Sequence, residues 1–230
     1  MPPIALSIVI PTLDAENGLT ATLDALEDAR VTALDFEVII ADGGSRDGTL
    51  AVARQAGVPV IAATGGRGGQ LAAGALAAQG AWLLFLHADT VPQPGWPEAV
   101  AEFMAAAENR RRAAAFRFVL DDDARAARRL EAVVAWRGRR LGLPYGDQGL
   151  LISRAFYDAL GGYRPLPIME DVDLVRRIGR RRLLILEQPA ATSAGRYRRS
   201  GYLARSTRNL SCLGLYWVGV PTRWIVRLYG

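Results

Sequence analysis

Along the first ninety residues, short apolar runs alternate with segments whose apolar positions recur at helical spacing. Leu6 to Ile10 predicts a strand, and Ala15 to Ala29 predicts a helix with Leu19, Leu23 and Leu26 on one face. Phe36 to Ile40, Val58 to Ala62 and Trp82 to Leu86 predict three further strands, separated by a helix over Leu50 to Ala56 and an Ala-rich helix through Leu71 and Leu76. Strand and helix in turn imply βαβ units, a parallel sheet and an α/β sandwich. Ligands of such sheets bind outside the carboxyl ends of the strands.

Polar clusters follow all four runs. Pro11-Thr12-Leu13-Asp14-Ala15-Glu16 follows the first, and Ala41 to Thr49, with Asp42, Gly43, Gly44, Ser45 and Asp47, follows the second. Gly65 to Gly69, a glycine-rich loop carrying Arg67 and followed by Gln70, comes after the third, and His87-Ala88-Asp89 after the fourth. Each alone is accounted for as a turn or helix cap. Four on one sheet edge point to a ligand site.

Past residue 95 the pattern predicts a helix over Pro97 to Ala107, a strand over Ala113 to Leu120, and a helix with Leu130, Val133, Val134 and Leu141 on its apolar face. Asp121-Asp122-Asp123 stand before that helix and are expected to cap it. Gly142 to Gly149 reads as a loop, Leu150 to Ile152 as a short strand, and Arg154 to Leu160 as a helix closed by Gly161-Gly162. Glu170-Asp171-Val172-Asp173 opens a helix to about Arg181, and Leu183 to Leu186 is a further strand. The tail has an apolar stretch, Leu210 to Val220, too short to cross a bilayer as a helix, and Pro221 starts a last helix.

Missing residue types narrow the chemistry. All 28 basic residues of the 230 are Arg, and His87 and Cys212 are the only His and Cys. A Schiff-base lysine, a P-loop, structural zinc and a disulfide are therefore excluded, and a Ser-His or Cys-His dyad nearly so. Catalysis must rest on carboxylates, Arg, backbone amides or a metal. Cys212, in an apolar context, reads as an inert buried thiol. Residues 1–109 carry 4 Arg against 13 acids, net −9, and residues 110–230 carry 24 Arg against 10 acids, net +14. The basic half reads as solvated helix ends or as a surface for phosphates. No basic segment precedes an apolar one at the start, so a cytoplasmic protein is expected.

A carboxylate after the second run, Asp42, can accept hydrogen bonds from a base or ribose. One after the fourth, Asp89, can hold Mg2+ or Mn2+ between two phosphates. Together they describe a site for a nucleoside diphosphate and its cation. The runs Ser7 to Glu16, Ala41 to Thr49, Phe85 to Asp89 and Met169 to Leu174 resemble the inverting family 2 glycosyltransferases of the GT-A fold, over about residues 5 to 187.

The resemblance implies a GT-A nucleotide-diphospho-sugar transferase sandwich with a mostly parallel central sheet, a nucleotide-sugar donor, a divalent cation (Mn2+ or Mg2+) and direct displacement at the anomeric carbon. It assigns Pro11, Thr12, Asp14, Glu16, Asp42 and Gly43 to the nucleoside side, Arg67 and Gln70 to the donor groove, and His87, Ala88 and Asp89 to the diphosphate and metal. Asp171, flanked by Glu170, would be the catalytic base, and Asp147 and Gln148 would line the acceptor side. The chain departs from the family pattern at Gly43, where a second Asp is common, and at His87, the first position of the Asp-x-Asp metal motif. His87 is read as a metal ligand, as a ribose or diphosphate contact, or as a hydrogen-bonded histidine at a strand end. The His-Ala-Asp variant and Tyr145 to Gly149 are similar to a bacterial subgroup associated by name with arsenosugar biosynthesis.

The expected organisation is a glycosyltransferase domain over 1–195, with a nucleotide-binding half (1–95) and an acceptor-side half (96–195), followed by an Arg-rich helical appendage over 196–230. A UDP-sugar is favoured over a GDP-sugar as donor, the hydroxyl acceptor is unknown, and no nucleic acid is expected. The tail, with Arg196, Arg198, Arg199, Arg205 and Arg208 ahead of its apolar run, is read either as packing back on the domain or a homodimer partner, or as peripheral to an anionic membrane. The alternatives are a sugar nucleotidyltransferase and a non-catalytic nucleotide or anionic-surface binder.

Overall fold

The computed structural model describes residues 4–229, apart from the side chains of Arg139, Arg196 and Tyr229. The chain runs β1 (Leu6–Thr12), α1 (Glu16–Glu27), β2 (Phe36–Asp42), α2 (Thr49–Gln55), β3 (Val60–Ala62), α3 (Gly66–Ala77), β4 (Trp82–Phe85), β5 (Thr90–Pro92) and α4 (Trp96–Ala105). It continues through β6 (Ala113–Leu120), α5 (Arg125–Leu141), β7 (Leu150–Ser153), α6 (Arg154–Ala159), α7 (Glu170–Ile178) and β8 (Leu183–Thr192) to α8 (Gly195–Ser200), α9 (Tyr202–Trp217) and α10 (Thr222–Tyr229).

One eight-stranded sheet has the order β3-β2-β1-β4-β7-β6-β8-β5. Strands β1 to β4 are mutually parallel, as their βαβ connections require, so the four polar clusters do share one sheet edge. Antiparallel β7 joins this half to the parallel pair β6 and β8. β1 is buried on both faces. Ile8 and Ile10 pack on one side with Leu19, Leu23 and Trp96, and Val9 packs on the other with Leu71, Leu83 and Phe85. A strand covered by helices on both faces reads as a continuous apolar run.

Four expectations change. The glycine-rich segment after β3 is the first turns of α3, not a loop: Gly68 N–H donates to Leu166 O at 3.1 Å, and a Cβ on Gly68 would stand 2.2 Å from Arg164 O. These glycines let the 164–167 segment lie against the helix. Strand β8 runs on past Leu186 through Pro189 to Thr192, because β6 and β5 pair with it beyond the apolar run. Asp121 and Asp122 do not cap α5, whose N-cap is Ala124. Asp121 accepts from Ala194 N–H and faces Arg198 at 3.3 Å, and Asp122 accepts from Tyr202 Oη at 2.7 Å, so the pair anchors α8 and α9. On α5, Val134 is buried, but Val133 and Leu141 are exposed.

The tail does pack back on the domain. Cys212 of α9 and Ile225 of α10 are fully buried with Ile168, Met169 and Val172 at the start of α7, which agrees with an inert thiol. Leu203, Leu210 and Trp217, seven residues apart on α9, are exposed. No described helix is long and apolar enough to cross a membrane.

Candidate active site

A cleft of about 730 Å3 opens at the carboxyl ends of β1 to β4 and is closed on its far side by the loop before β7, the start of α7 and the tail. Thr12, Asp14, Gly43, Arg67 and Gln70 line one side, His87, Ala88 and Asp89 the middle, and Asp147 and Asp171 the far side. Residues from all four predicted clusters thus meet.

On the side formed by β1, β2 and α3 the loops are tied to one another. Asp42 is buried, and both its oxygens are occupied: Oδ1 accepts from Thr12 Oγ1 at 2.8 Å and Ser45 Oγ at 2.5 Å, and Oδ2 accepts from Gly44 N at 2.8 Å and Ser45 N at 2.9 Å. Burial pushes the Asp42 carboxyl up, but the hydrogen bonds from Ser45, Thr12 and Gly44 outweigh it and hold it below its ordinary value. Its role here is to shape the loop, since no acceptor capacity is left for a base or ribose. Glu16 lies outside the cleft lining and accepts from Gly48 N at 3.0 Å, while Asp14 lines the cleft and accepts from Arg46 N at 2.7 Å. Gln70, nearly buried, donates Nε2 to Thr12 O and to Ala41 O, closing the space over Gly43, where a Cβ would stand 2.8 Å from that nitrogen.

Gly146 joins the middle of the cleft to its far side. Its N–H donates to Asp171 Oδ2 at 2.8 Å, and a Cβ on it would stand 2.4 Å from His87 Nε2, so the imidazole packs against this glycine. Asp171 Oδ1 accepts from Val172 N at 2.7 Å. The carboxylate is therefore aimed by two backbone amides at the first turn of α7, where Met169 holds a left-handed φ of 65°. Such a conformation costs about 1–3 kcal/mol in a non-glycine residue and recurs at functional sites.

Two predicted residues sit differently from expectation. Glu170 is fully buried and paired with the Arg67 guanidinium, so it positions Arg67 and has no access to an acceptor; burial raises its pKa against the pull of Arg67. Gln148, also buried, does not line the cleft, and its Nε2 donates to Phe116 O at 3.0 Å. Asp147 does line it, with one carboxylate oxygen, Oδ1, buried and unpartnered. Burial pushes its pKa up to about 6, opposed by Arg137 and helped by the charges of Asp171 and Asp89. Tyr197, Arg199, Arg205 and Asn209 of the tail complete the lining. The reading of the sequence left them out of the site. The signal in the sequence is the spacing of Arg205, Asn209 and Cys212, which places them on one face of a helix.

No group of three His, Cys, Asp or Glu gathers for a metal among the described residues. Asp89 and His87 fit a cation shared with a substrate diphosphate, as Mg2+ is commonly held by one or two side chains plus phosphates, and do not fit an all-protein cage.

A central sheet of this order, with a cleft at the carboxyl ends of β1 to β4, is an α/β fold of the GT-A type. Residues 7–157 match the family described as Glycosyl transferase family 2, and the chain belongs to that family. Membership of that family weighs against the nucleotidyltransferase alternative. A PGL/p-HBAD biosynthesis glycosyltransferase from Mycobacterium tuberculosis strain H37Ra is 42% identical over 90 residues, covering 36% of this chain and 34% of that one. The matched part is thus about a third of the length of these curated relatives. Glucosyl-3-phosphoglycerate synthase from M. tuberculosis, solved with Mn2+, UDP and glucosyl-3-phosphoglycerate, has a TM-score of 0.63 at 20% identity and covers 94% of this chain and 81% of that one. TarS from S. aureus has a TM-score of 0.64 at 12% identity, over 98% and 69%.

Proposed function

We propose that the protein transfers a sugar from a nucleotide-diphosphate donor, a UDP-sugar in preference to a GDP-sugar, to an acceptor hydroxyl with inversion. One observation carries the reading: Gly146 touches both Asp171 and His87, so the carboxylate that would take the acceptor's proton stands one residue from the pair that would hold the donor's cation. The donor nucleoside lies along Thr12, Gly43 and Gln70, with its diphosphate toward Arg67, His87 and Asp89. Asp171, held by two amide N–H groups, accepts the proton of the hydroxyl as its oxygen attacks the anomeric carbon. The nucleoside diphosphate leaves from the opposite face, which inverts the centre. Asp89 and His87 would hold a divalent cation, which would supply charge neutralisation to the leaving diphosphate. Arg67, fixed by buried Glu170, adds a guanidinium to the same groove.

Similarity of relatives supports the donor class: the mycobacterial synthase binds uridine-diphosphate-glucose with Mn2+. The arsenosugar-related subgroup rests on His87-Ala88-Asp89 and Tyr145 to Gly149 and bears on the acceptor alone. A thermal-shift panel of UDP, GDP and their sugars, with and without Mn2+, tests the reading, because a ligand of the native state raises the melting temperature. UDP with Mn2+ is expected to give the largest shift, and Mn2+ alone close to none. If no nucleoside diphosphate shifts the protein under any condition, the reading fails.

A further inference from the structure

The tail contributes polar groups that the donor chemistry does not use. Arg205, Asn209 and Cys212 stand at i, i+4 and i+7 on α9, one face of the helix. Cys212 is buried against Met169 and Val172, which flank Asp171 in the chain, and so fixes this face beside the base. Asn209 lies one turn, about 5 Å, further along the axis, and Arg205 a second turn on. All three belong to the wall that carries Asp171, whereas the nucleoside groups Thr12, Gly43 and Gln70 come from β1, β2 and α3 at the other end of the sheet.

The chemistry of the face is specific. Arg205 is only 8% exposed, lines the cleft, and has its guanidinium 5.5 Å from the centre of the Tyr197 ring, which is itself stacked on Tyr202. Tyr202 is in turn bonded to Asp122, so the basic group is mounted on a braced aromatic pair. Arg199 of α8 adds a second, exposed guanidinium to the same lining. Asn209 Oδ1 is buried without a hydrogen-bond partner, and a buried carbonyl in that state destabilises the protein until a donor reaches it. Arg199 and Arg205 place two positive charges on this lining, which favours an anion there, and the amide oxygen can accept from a hydroxyl.

We propose that Arg199, Arg205 and Asn209 form an acceptor subsite that reads a phosphate or carboxylate together with a neighbouring hydroxyl, so that the acceptor is a hydroxylated anion. The proposal rests on the glycosyltransferase reading for the word acceptor, but the anion site can be measured without it. Binding of glycerol 3-phosphate, glycerate and glycerol is followed by thermal shift and calorimetry, on the protein alone and on protein saturated with UDP and Mn2+. The two anions are expected to bind and glycerol not, and the comparison between them separates phosphate from carboxylate. Binding should persist in the presence of UDP and Mn2+, because the donor diphosphate occupies a different place.

Arg205→Gln and, separately, the exposed Arg199→Gln should each weaken anion binding by roughly tenfold or more, with the response to UDP and Mn2+ unchanged. The Arg199 variant alters a surface position and guards against a folding defect in the other. Equal binding of glycerol and its anions, or anion binding unaffected by both variants, overturns the proposal. So does competition between UDP and the anions, which would give these guanidiniums to the donor diphosphate. Failure of UDP to bind, with the anion result as expected, breaks the donor reading and leaves the subsite standing.

Discussion

The two walls of the cleft differ in how completely their polar groups are satisfied. On the nucleotide side, Asp14, Asp42, Asp47 and Glu16 all accept hydrogen bonds from backbone amides or hydroxyls of neighbouring loops. On the acceptor side, Asp147 Oδ1 and Asn209 Oδ1 of the lining are buried without a partner, and among the described residues no such atom falls before residue 137. One wall is complete without a ligand; the other leaves polar atoms unpartnered. A wall of the first kind gives a preorganised groove with little to gain in hydrogen bonds, and one of the second kind selects ligands that supply the missing donors.

The largest expected effect lies on the incomplete wall. Asp171→Asn keeps the amide contacts but removes the proton acceptor, so turnover, read as UDP release in the presence of acceptor, should fall roughly 10²-fold or more with donor binding intact. Normal turnover would move the base elsewhere on this wall. On the opposite side of Gly146, Asp89→Ala should abolish the Mn2+-dependent part of the UDP thermal shift. A cation effect of equal size in both proteins would take the metal away from Asp89.

Gly68→Ala probes the join between the walls. A Cβ 2.2 Å from Arg164 O cannot be accommodated without moving the 164–167 segment off α3, and a loss of about 1–3 kcal/mol is expected in denaturant unfolding. Unchanged stability would show that the segment is free to shift.

Asp147 gives a smaller, pH-dependent effect. Its folded pKa, about 6, lies above the ordinary 3.8, so the folded state binds this proton more tightly than the unfolded chain does. The resulting stabilisation is complete below about pH 3.8 and lost as pH rises through 6. Asp147→Asn should therefore gain stability relative to the parent between pH 4.5 and 7.5. A difference independent of pH would place Asp147 in water.

The smallest effect concerns the outer face of the tail, where exposed Leu203, Leu210 and Trp217 are proposed to touch an anionic membrane without crossing it. Flotation with anionic vesicles should succeed at low salt and weaken at moderate salt. No binding at low salt would leave that face to a second copy of the chain.

The nucleotide half is legible in the sequence because each of its elements is local. Runs such as Leu6 to Ile10 and Trp82 to Leu86 are apolar throughout, being covered on both faces, and their polar ends follow in the next few residues. Parallel connection through helices then places Thr12, Asp42 and Asp89 on one edge without further information. Residue type and order also carried the family resemblance, which the match over 7–157 bears out.

What the sequence could not decide is whether a side chain faces the ligand or its own neighbours. Asp42 and Glu170 have the residue type and position of site groups, yet one is consumed by Ser45 and Thr12 and the other by Arg67, 103 residues earlier in the chain. Arg205 reads only as one of a basic cluster and Asn209 has no distinguishing pattern, yet packing of Cys212 against Val172 places both on the cleft. Periodicity records which face of an element is apolar. Only the long-range contacts that close the cleft determine which polar groups remain available to a substrate.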